Sequence, residues 1–295
     1  MKTPVFTGAS VAIVTPFRDD KVDFDKLGEL IERQIAAGTD CICICGTTGE
    51  SSTQSMEEHK ETIRYCVEKV NHRCKVIAGT GSNNTSSALE LCLDAEEAGV
   101  DGLLVVTPYY NKTTQKGLIL HYTYLADRVH TPIICYNVPS RTGMSFTANT
   151  YYELSKHPMI NGVKEASGNF DLIAHTRMLC GDNFNIWSGE DSQVVPLMAL
   201  GGKGVISVVS NVDPKVMVDM THYCLEGKFA EAADLQVNRV APLADVLFME
   251  TNPIPVKTAM NMMGMDVGEL RMPLCEMTEE HNTVLKAALE KANLL

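Results

Sequence analysis

The chain has 295 residues, 45% hydrophobic and 21% charged, which excludes an ordinary disordered segment and suits one large α/β domain or two smaller ones. Its formal net charge of -12 argues against nucleic acid or an anionic membrane as the main partner of the surface, while a local basic pocket could still take a small anion. No stretch is long and apolar enough to span a bilayer, and the opening MKTPVFTGASVAIVTPF lacks the uninterrupted apolar segment of a signal peptide.

In chain order, short apolar runs alternate with helical patterns. Ser10–Val14 is the first run. Asp23 can then cap a helix that carries Phe24, Leu27, Leu30, Ile31 and Ile35 on one face and ends at Gly38. In the second run, Cys41–Cys45, the alternating Cys41, Cys43 and Cys45 are expected to share one face. It ends in Gly46-Thr47-Thr48-Gly49-Glu50. The third run, Lys75–Ala78, leads into Gly79-Thr80-Gly81, which holds only the first two glycines of a dinucleotide fingerprint. Leu89, Leu91, Cys92 and Ala95 repeat the helical spacing before Gly99.

Gly102–Val106 ends in Thr107-Pro108-Tyr109-Tyr110-Asn111, and Pro132–Tyr136 in Asn137-Val138-Pro139-Ser140-Arg141-Thr142-Gly143. Ile160–Lys164 is followed by Glu165-Ala166-Ser167-Gly168, and Phe184–Trp187 by Ser188-Gly189-Glu190-Asp191. The last run is Gly204–Val209. Gly201-Gly202-Lys203 precedes that run instead of following it, so it reads as a turn and not a phosphate loop.

About eight strands spaced roughly 20–35 residues apart give the βα rhythm of a parallel sheet. Their continuous apolar character fits strands buried on both faces. The expected fold is an α/β (β/α)₈ TIM barrel with additional C-terminal helices; an open doubly wound sheet, which usually has fewer strands, is the alternative. The barrel is assigned to residues 1–212 and a helical region packed on it to 213–295. Met262, Met263 and Met265 there read as core or subunit contact. The ten cysteines include no C-x-x-C pair, so buried reduced thiols in a cytoplasmic protein are expected, and no metal site.

Catalytic groups of such barrels sit at the C-terminal ends of strands. Lys164 passes that filter, whereas Lys75 and Lys203 lie at strand beginnings and Lys257 in the helical tail. Alone, Lys164 reads more simply as a solvated strand-end lysine. An ammonium in a buried site, however, tends to lose its proton and become a nucleophile suited to Schiff-base chemistry. Thr47 and Thr48 read either as a plain tight turn or as hydroxyls and N–H groups offered to a carboxylate. Tyr136 reads as a core aromatic or as a proton shuttle. Arg141 reads as a surface salt-bridge residue or as a carboxylate clamp. Converging on one barrel face, the lysine, the tyrosine, the hydroxyl-rich turn and the arginine describe a site for an α-keto acid bound as an imine. A pyridoxal phosphate enzyme is disfavoured, because no phosphate-binding glycine cluster follows the seventh or eighth strand.

The motifs Gly46-Thr47-Thr48-Gly49-Glu50, Tyr136-Asn137-Val138-Pro139-Ser140-Arg141-Thr142-Gly143 and Lys164-Glu165-Ala166-Ser167-Gly168, in this order, resemble the 4-hydroxy-tetrahydrodipicolinate (dihydrodipicolinate) synthase family. That family is one of the class I pyruvate-dependent aldolases, and the likeness runs from Gly8 into the tail. The resemblance implies that pyruvate forms an imine with Lys164 and condenses with aspartate semialdehyde in lysine and diaminopimelate biosynthesis. It implies that Tyr136 moves protons, linked through Thr48 to Tyr110, which reaches into a neighbouring subunit. Thr47 and Thr48 would hold the pyruvate carboxylate, Arg141 the carboxylate of the second substrate, and Gly189 and Ile206 would line the pocket. It also implies a homotetramer built from dimers, with no cofactor. N-acetylneuraminate lyase or a keto-deoxy-sugar-acid aldolase is the alternative; sialic-acid lyases typically lack the arginine. A barrel that binds a keto acid without turning it over is a third reading.

Some members are inhibited by lysine at the subunit interface. Ser51, His59, Asn83 and Tyr109 match that effector pocket, whereas Met56 and Ser87 depart from the histidine and glutamate of sensitive enzymes. Weak or absent lysine feedback is therefore expected.

Overall fold

Runs of Val, Ile and Leu have no polar face to offer water, so each strand needs cover on both sides. In the computed structural model, which describes residues 1–295, eight parallel strands close into one barrel. They are β1 (Gly8–Ala12), β2 (Cys41–Ile44), β3 (Lys75–Gly79), β4 (Gly102–Val106), β5 (Ile133–Asn137), β6 (Ile160–Glu165), β7 (Asn185–Ser188) and β8 (Gly204–Ser207). β1 pairs with both β2 and β8, which completes the ring and excludes the open sheet. β1 starts two residues earlier than the sequence pattern indicates, because Gly8 opposite Gly204 lets the backbones meet closely. A Cβ on Gly204 would lie 1.9 Å from the Gly8 carbonyl oxygen.

The barrel interior holds a compact apolar cluster that includes Cys41, Cys43, Ile77, Leu104, Ile134, Trp187 and Ile206. Phe6 stacks on Trp187 at 5.2 Å and accepts its indole N–H at 3.1 Å, which plugs the N-terminal end. The expectation that Cys45 shares a face with Cys41 and Cys43 is corrected. Cys45 lies just past β2 with φ +51, which breaks the strand alternation. Its thiol turns to the outer layer and donates to the carbonyl of His59 at 3.8 Å.

Helices cover the outside, and their caps follow the sequence signals. Asp23 accepts from the Lys26 N–H at the start of α1 (Phe24–Ala36), and Ser55 forms a capping box with Glu58 at the start of α2 (Met56–Val70). Helix Pro214–Leu225 packs on β1 and supplies the helix of the eighth unit. Beyond it lie Phe229–Leu235, a π turn, Ala241–Leu247, Ile254–Met262 and Glu279–Lys291. Met262, Met263 and Met265 are half-buried against the main core. Two parts of this region, around Asn252 and around Lys257, reach the turn that follows β2 at the C-terminal mouth.

Candidate active site

β6 places Lys164 in register with Tyr136 on β5 and Trp187 on β7. Facing pairs on parallel neighbours point to the same side, so both side chains turn into the barrel. Lys164 is buried, with its Nζ 4.4 Å from the centroid of the Tyr136 ring. Lys164, Tyr136, Thr47 and Arg141 line one cavity of about 330 Å³, together with Cys43, Leu104 and Val138. Ile206 belongs to the same interior cluster as Tyr136. Gly189 sits directly against Lys164, where a Cβ would lie 3.1 Å from its Cε.

The Gly46–Glu50 turn is held from below and behind. Glu50 has φ +52, and the Gly49 carbonyl accepts from Thr15 Oγ1 at 2.7 Å and from Gln54 Nε2 at 2.9 Å. The Glu50 carboxylate is fully buried and meets Lys257 Nζ at 2.8 Å and the Arg271 N–H at 3.0 Å. Lys257 Nζ also donates to the carbonyls of Thr15 and Glu269 and lies over the Phe17 ring. Burial lowers the Lys257 pKa, and the Glu50 charge opposes that shift. The sequence signal for this anchor was a lysine set in the apolar run Ile254-Pro255-Val256-Lys257; position in the tail hid its role.

Thr48 is buried and accepts from Asn252 Nδ2 at 2.9 Å, while Arg141 Nη2 donates to the Asn252 carbonyl at 2.9 Å. Asn252 was not singled out by sequence. Tyr110 stands apart from this group: it is 93% exposed, with φ +68, on the loop after β4. Within one chain, the side-chain hydrogen bond of Thr48 is the one to Asn252, not one to Tyr136 or Tyr110.

Three acids stand behind the mouth. Glu165, next to Lys164 but on the outer face of β6, accepts from Tyr151 Oη at 2.8 Å, Asn137 Nδ2 at 2.9 Å and the Ser167 N–H at 2.9 Å. Burial raises its pKa, and those donors only partly offset the shift. Asp191 accepts from the N–H groups of Val208 and Val209, joining β7 to β8, and burial likewise raises its pKa. Glu190 is raised by burial and by the neighbouring Asp191.

Ser51, Met56, His59, Ser87 and Tyr109 line the outer end of the same cavity. Asn83 lies beside it, its carbonyl accepting from Asn111 Nδ2 at 2.9 Å. His59 bonds through Nε2 to the Gly79 carbonyl at 2.9 Å, and burial lowers its pKa. No group of three or more His, Cys, Asp or Glu side chains has metal-holding geometry.

A dihydrodipicolinate synthetase family model matches residues 5–292. The chain belongs to the dihydrodipicolinate synthetase family. A 4-hydroxy-tetrahydrodipicolinate synthase of Thermoanaerobacter sp. (strain X514) is 55% identical over 293 residues, covering 99% of this chain and 98% of the relative. Among solved structures, dihydrodipicolinate synthase from Aquifex aeolicus superposes with a TM-score of 0.96 at 46% identity, covering 98% of this chain and 99% of that one. The chloride-inhibited enzyme from Acinetobacter baumannii, solved with pyruvate, has a TM-score of 0.95 at 40% identity, covering 98% and 99%. These two solved structures thus share the fold along nearly the whole chain.

Proposed function

We propose that this chain condenses pyruvate with L-aspartate-4-semialdehyde to 4-hydroxy-tetrahydrodipicolinate through a Schiff base on Lys164, an early step of lysine and diaminopimelate biosynthesis. The observation that carries this reading is the buried Lys164 side chain with its Nζ over Tyr136, in a cavity shared with Thr47 and Arg141. It also accords with the names of the relatives, and the chain is an enzyme of the lyase class.

The free amine of Lys164 adds to C2 of pyruvate and water leaves, giving an imine that serves as an electron sink. Loss of a proton from C3 gives an enamine, whose C3 forms the new bond to the aldehyde carbon, and the resulting alkoxide takes a proton. The substrate's own amino group then attacks C2, expels the Lys164 amine and closes the ring. Tyr136 carries protons to and from these centres, with Thr48 and Tyr110 as its relay. Thr47 and Thr48 bind the pyruvate carboxylate, and Arg141 the carboxylate of the semialdehyde. Gly189 and Ile206 shape the wall. No step needs a metal or an organic cofactor. A guanidinium suits a small acidic aldehyde better than a sugar polyol, which disfavours a sialic-acid or sugar-acid aldolase.

The exposed Tyr110 phenol supports an assembly in which each chain completes a neighbour's site, as a homotetramer made of two dimers. Sedimentation of the active protein as a monomer would reject that assembly. Ten unpaired cysteines fit the reducing cytoplasm. Borohydride reduction in the presence of pyruvate tests the chemistry. One N-(1-carboxyethyl) adduct on Lys164 with loss of activity is expected; its absence would remove the Schiff base and the reading with it. Comparing aspartate semialdehyde with sugar aldehydes in a coupled assay then decides the second substrate.

A further inference from the structure

Asn252 lies just before helix Ile254–Met262 and is 95% buried, at 5% exposure. Its Nδ2 donates to Thr48 Oγ1 at 2.9 Å. Its carbonyl accepts from Arg141 Nη2 at 2.9 Å. Its Oδ1 is buried without a partner, so Thr48 alone engages the amide. One residue from the C-terminal region therefore touches both groups that the proposed reaction assigns to its two carboxylates.

A hydroxyl has one hydrogen to give, and an amide NH₂ can only donate. While Asn252 donates to Thr48, the Thr48 hydrogen stays free for another acceptor. A carboxylate, or a tyrosine that has given up its proton, needs a donor there. We propose that Asn252 is a positioning residue for the condensation, its amide setting Thr48 as a donor toward the keto-acid half of the site and its carbonyl fixing Arg141 for the acidic aldehyde. This rests on the roles given to Thr48 and Arg141 under the Schiff-base reading.

Two variants and a double-mutant cycle test it, with steady-state kinetics, borohydride trapping and thermal melting on the full chain. Asn252→Ala removes the donor but keeps the backbone carbonyl. We expect kcat to fall about 10-fold while KM for the semialdehyde changes by less than about 2-fold. Asn252→Asp forces Thr48 to donate backward into the carboxylate, and kcat is expected to fall about 100-fold. In a Thr48→Val background, Asn252→Ala is expected to cost less than about 2-fold more, because it acts through the missing hydroxyl.

Fully additive losses in the double variant would overturn the proposal, as would an Asn252→Asp enzyme with wild-type kcat, since the amide would then be accepting. Should Asn252→Asp melt below the assay temperature, Asn252→Ala and the cycle still decide. A wild-type chain that forms no Lys164 adduct would overturn the Schiff-base reading and this inference together; a wild-type adduct with additive losses overturns this inference alone.

Discussion

Gly189 and Lys164 are matched in space: a Cβ on Gly189 would lie 3.1 Å from Cε and 3.2 Å from Cγ of Lys164, and 2.7 Å from Cβ of Ala166. The lysine end could move, but the Ala166 Cβ is fixed to its backbone. Gly189→Ala is therefore expected to cost about 1–3 kcal/mol of stability through overpacking. It should also displace the Lys164 amine, so the rate of adduct trapping with pyruvate should fall by more than the unfolding energy alone explains. Wild-type trapping kinetics in a folded Gly189→Ala protein would show that the space is not needed.

The Glu50–Lys257 pair links the turn bearing Thr47 and Thr48 to the C-terminal helices in an interior that exposes 0% of the acid and 1% of the lysine. Removing one member of a buried pair leaves the other charge uncompensated, so Lys257→Met is expected to lose about 3–5 kcal/mol in urea unfolding. Glu50→Gln combined with Lys257→Met should recover part of that loss. A Lys257→Met protein with wild-type stability, or a double variant worse than the sum, would contradict the pairing.

The barrel was legible because each strand is a continuous apolar run and each run ends in polar residues. Lys164, Tyr136 and Arg141 could be grouped from those endings, and Thr47 could be placed from its turn. Asn252 and Lys257 could not, because their partners Thr48 and Glu50 lie 204 and 207 residues away in the chain. No periodicity encodes contacts of that span. Cys45 misled for a local reason: strand alternation ends where φ turns positive, and a cysteine gives no sign of it. Tyr110 is seen on the surface, where a single chain supplies no partner for its phenol.

Arg141 stands at the exposed rim of the cavity, held by the Asn252 carbonyl, while Lys164 lies in its buried wall. That separation predicts a split between the two halves of the reaction. Arg141→Ala is expected to lower kcat/KM for the semialdehyde about 100-fold, the loss of a charge-assisted clamp. The Lys164 adduct with pyruvate should form at close to the wild-type rate. Equal damage to both steps would place Arg141 in the keto-acid site instead.

His121 supplies a pH dependence unrelated to catalysis. It is buried, bonded through Nδ1 to Thr85 Oγ1 at 2.9 Å with Nε2 unpartnered, and burial drops its pKa from 6.5 to about 4. In the unfolded chain the ring takes a proton below about 6.5; in the folded chain it resists until about 4. Between these values the unfolded state binds more protons, so stability rises with pH. The contribution is complete above 6.5 and is lost as pH falls toward 4, about 3 kcal/mol in all. Urea unfolding of His121→Gln at a series of pH values should give a flatter profile over that window than the wild type. Parallel profiles would assign the acid sensitivity elsewhere, with carboxylates held below their usual range, such as Glu58 against Arg271, as the next groups to replace.

The outer end of the cavity offers a lysine effector little to hold its amino group. Met56 and Ser87 stand there together with Ser51, His59 and Tyr109, and none of these carries a negative charge. Burial also lowers the pKa of His59, which leaves the ring neutral near pH 7; with Nε2 donating to the Gly79 carbonyl, it offers only the buried Nδ1 as a neutral acceptor and no charge. A cation taken from water needs an anionic or multiply accepting partner to offset its desolvation. Titration with lysine is therefore expected to leave the condensation rate nearly unchanged at submillimolar concentrations, and Ser87→Glu should introduce sensitivity. Strong submillimolar inhibition of the wild-type enzyme would mean that lysine finds a carboxylate from outside this lining, and a Ser87→Glu protein as insensitive as the parent would show that charge at position 87 is not what limits binding.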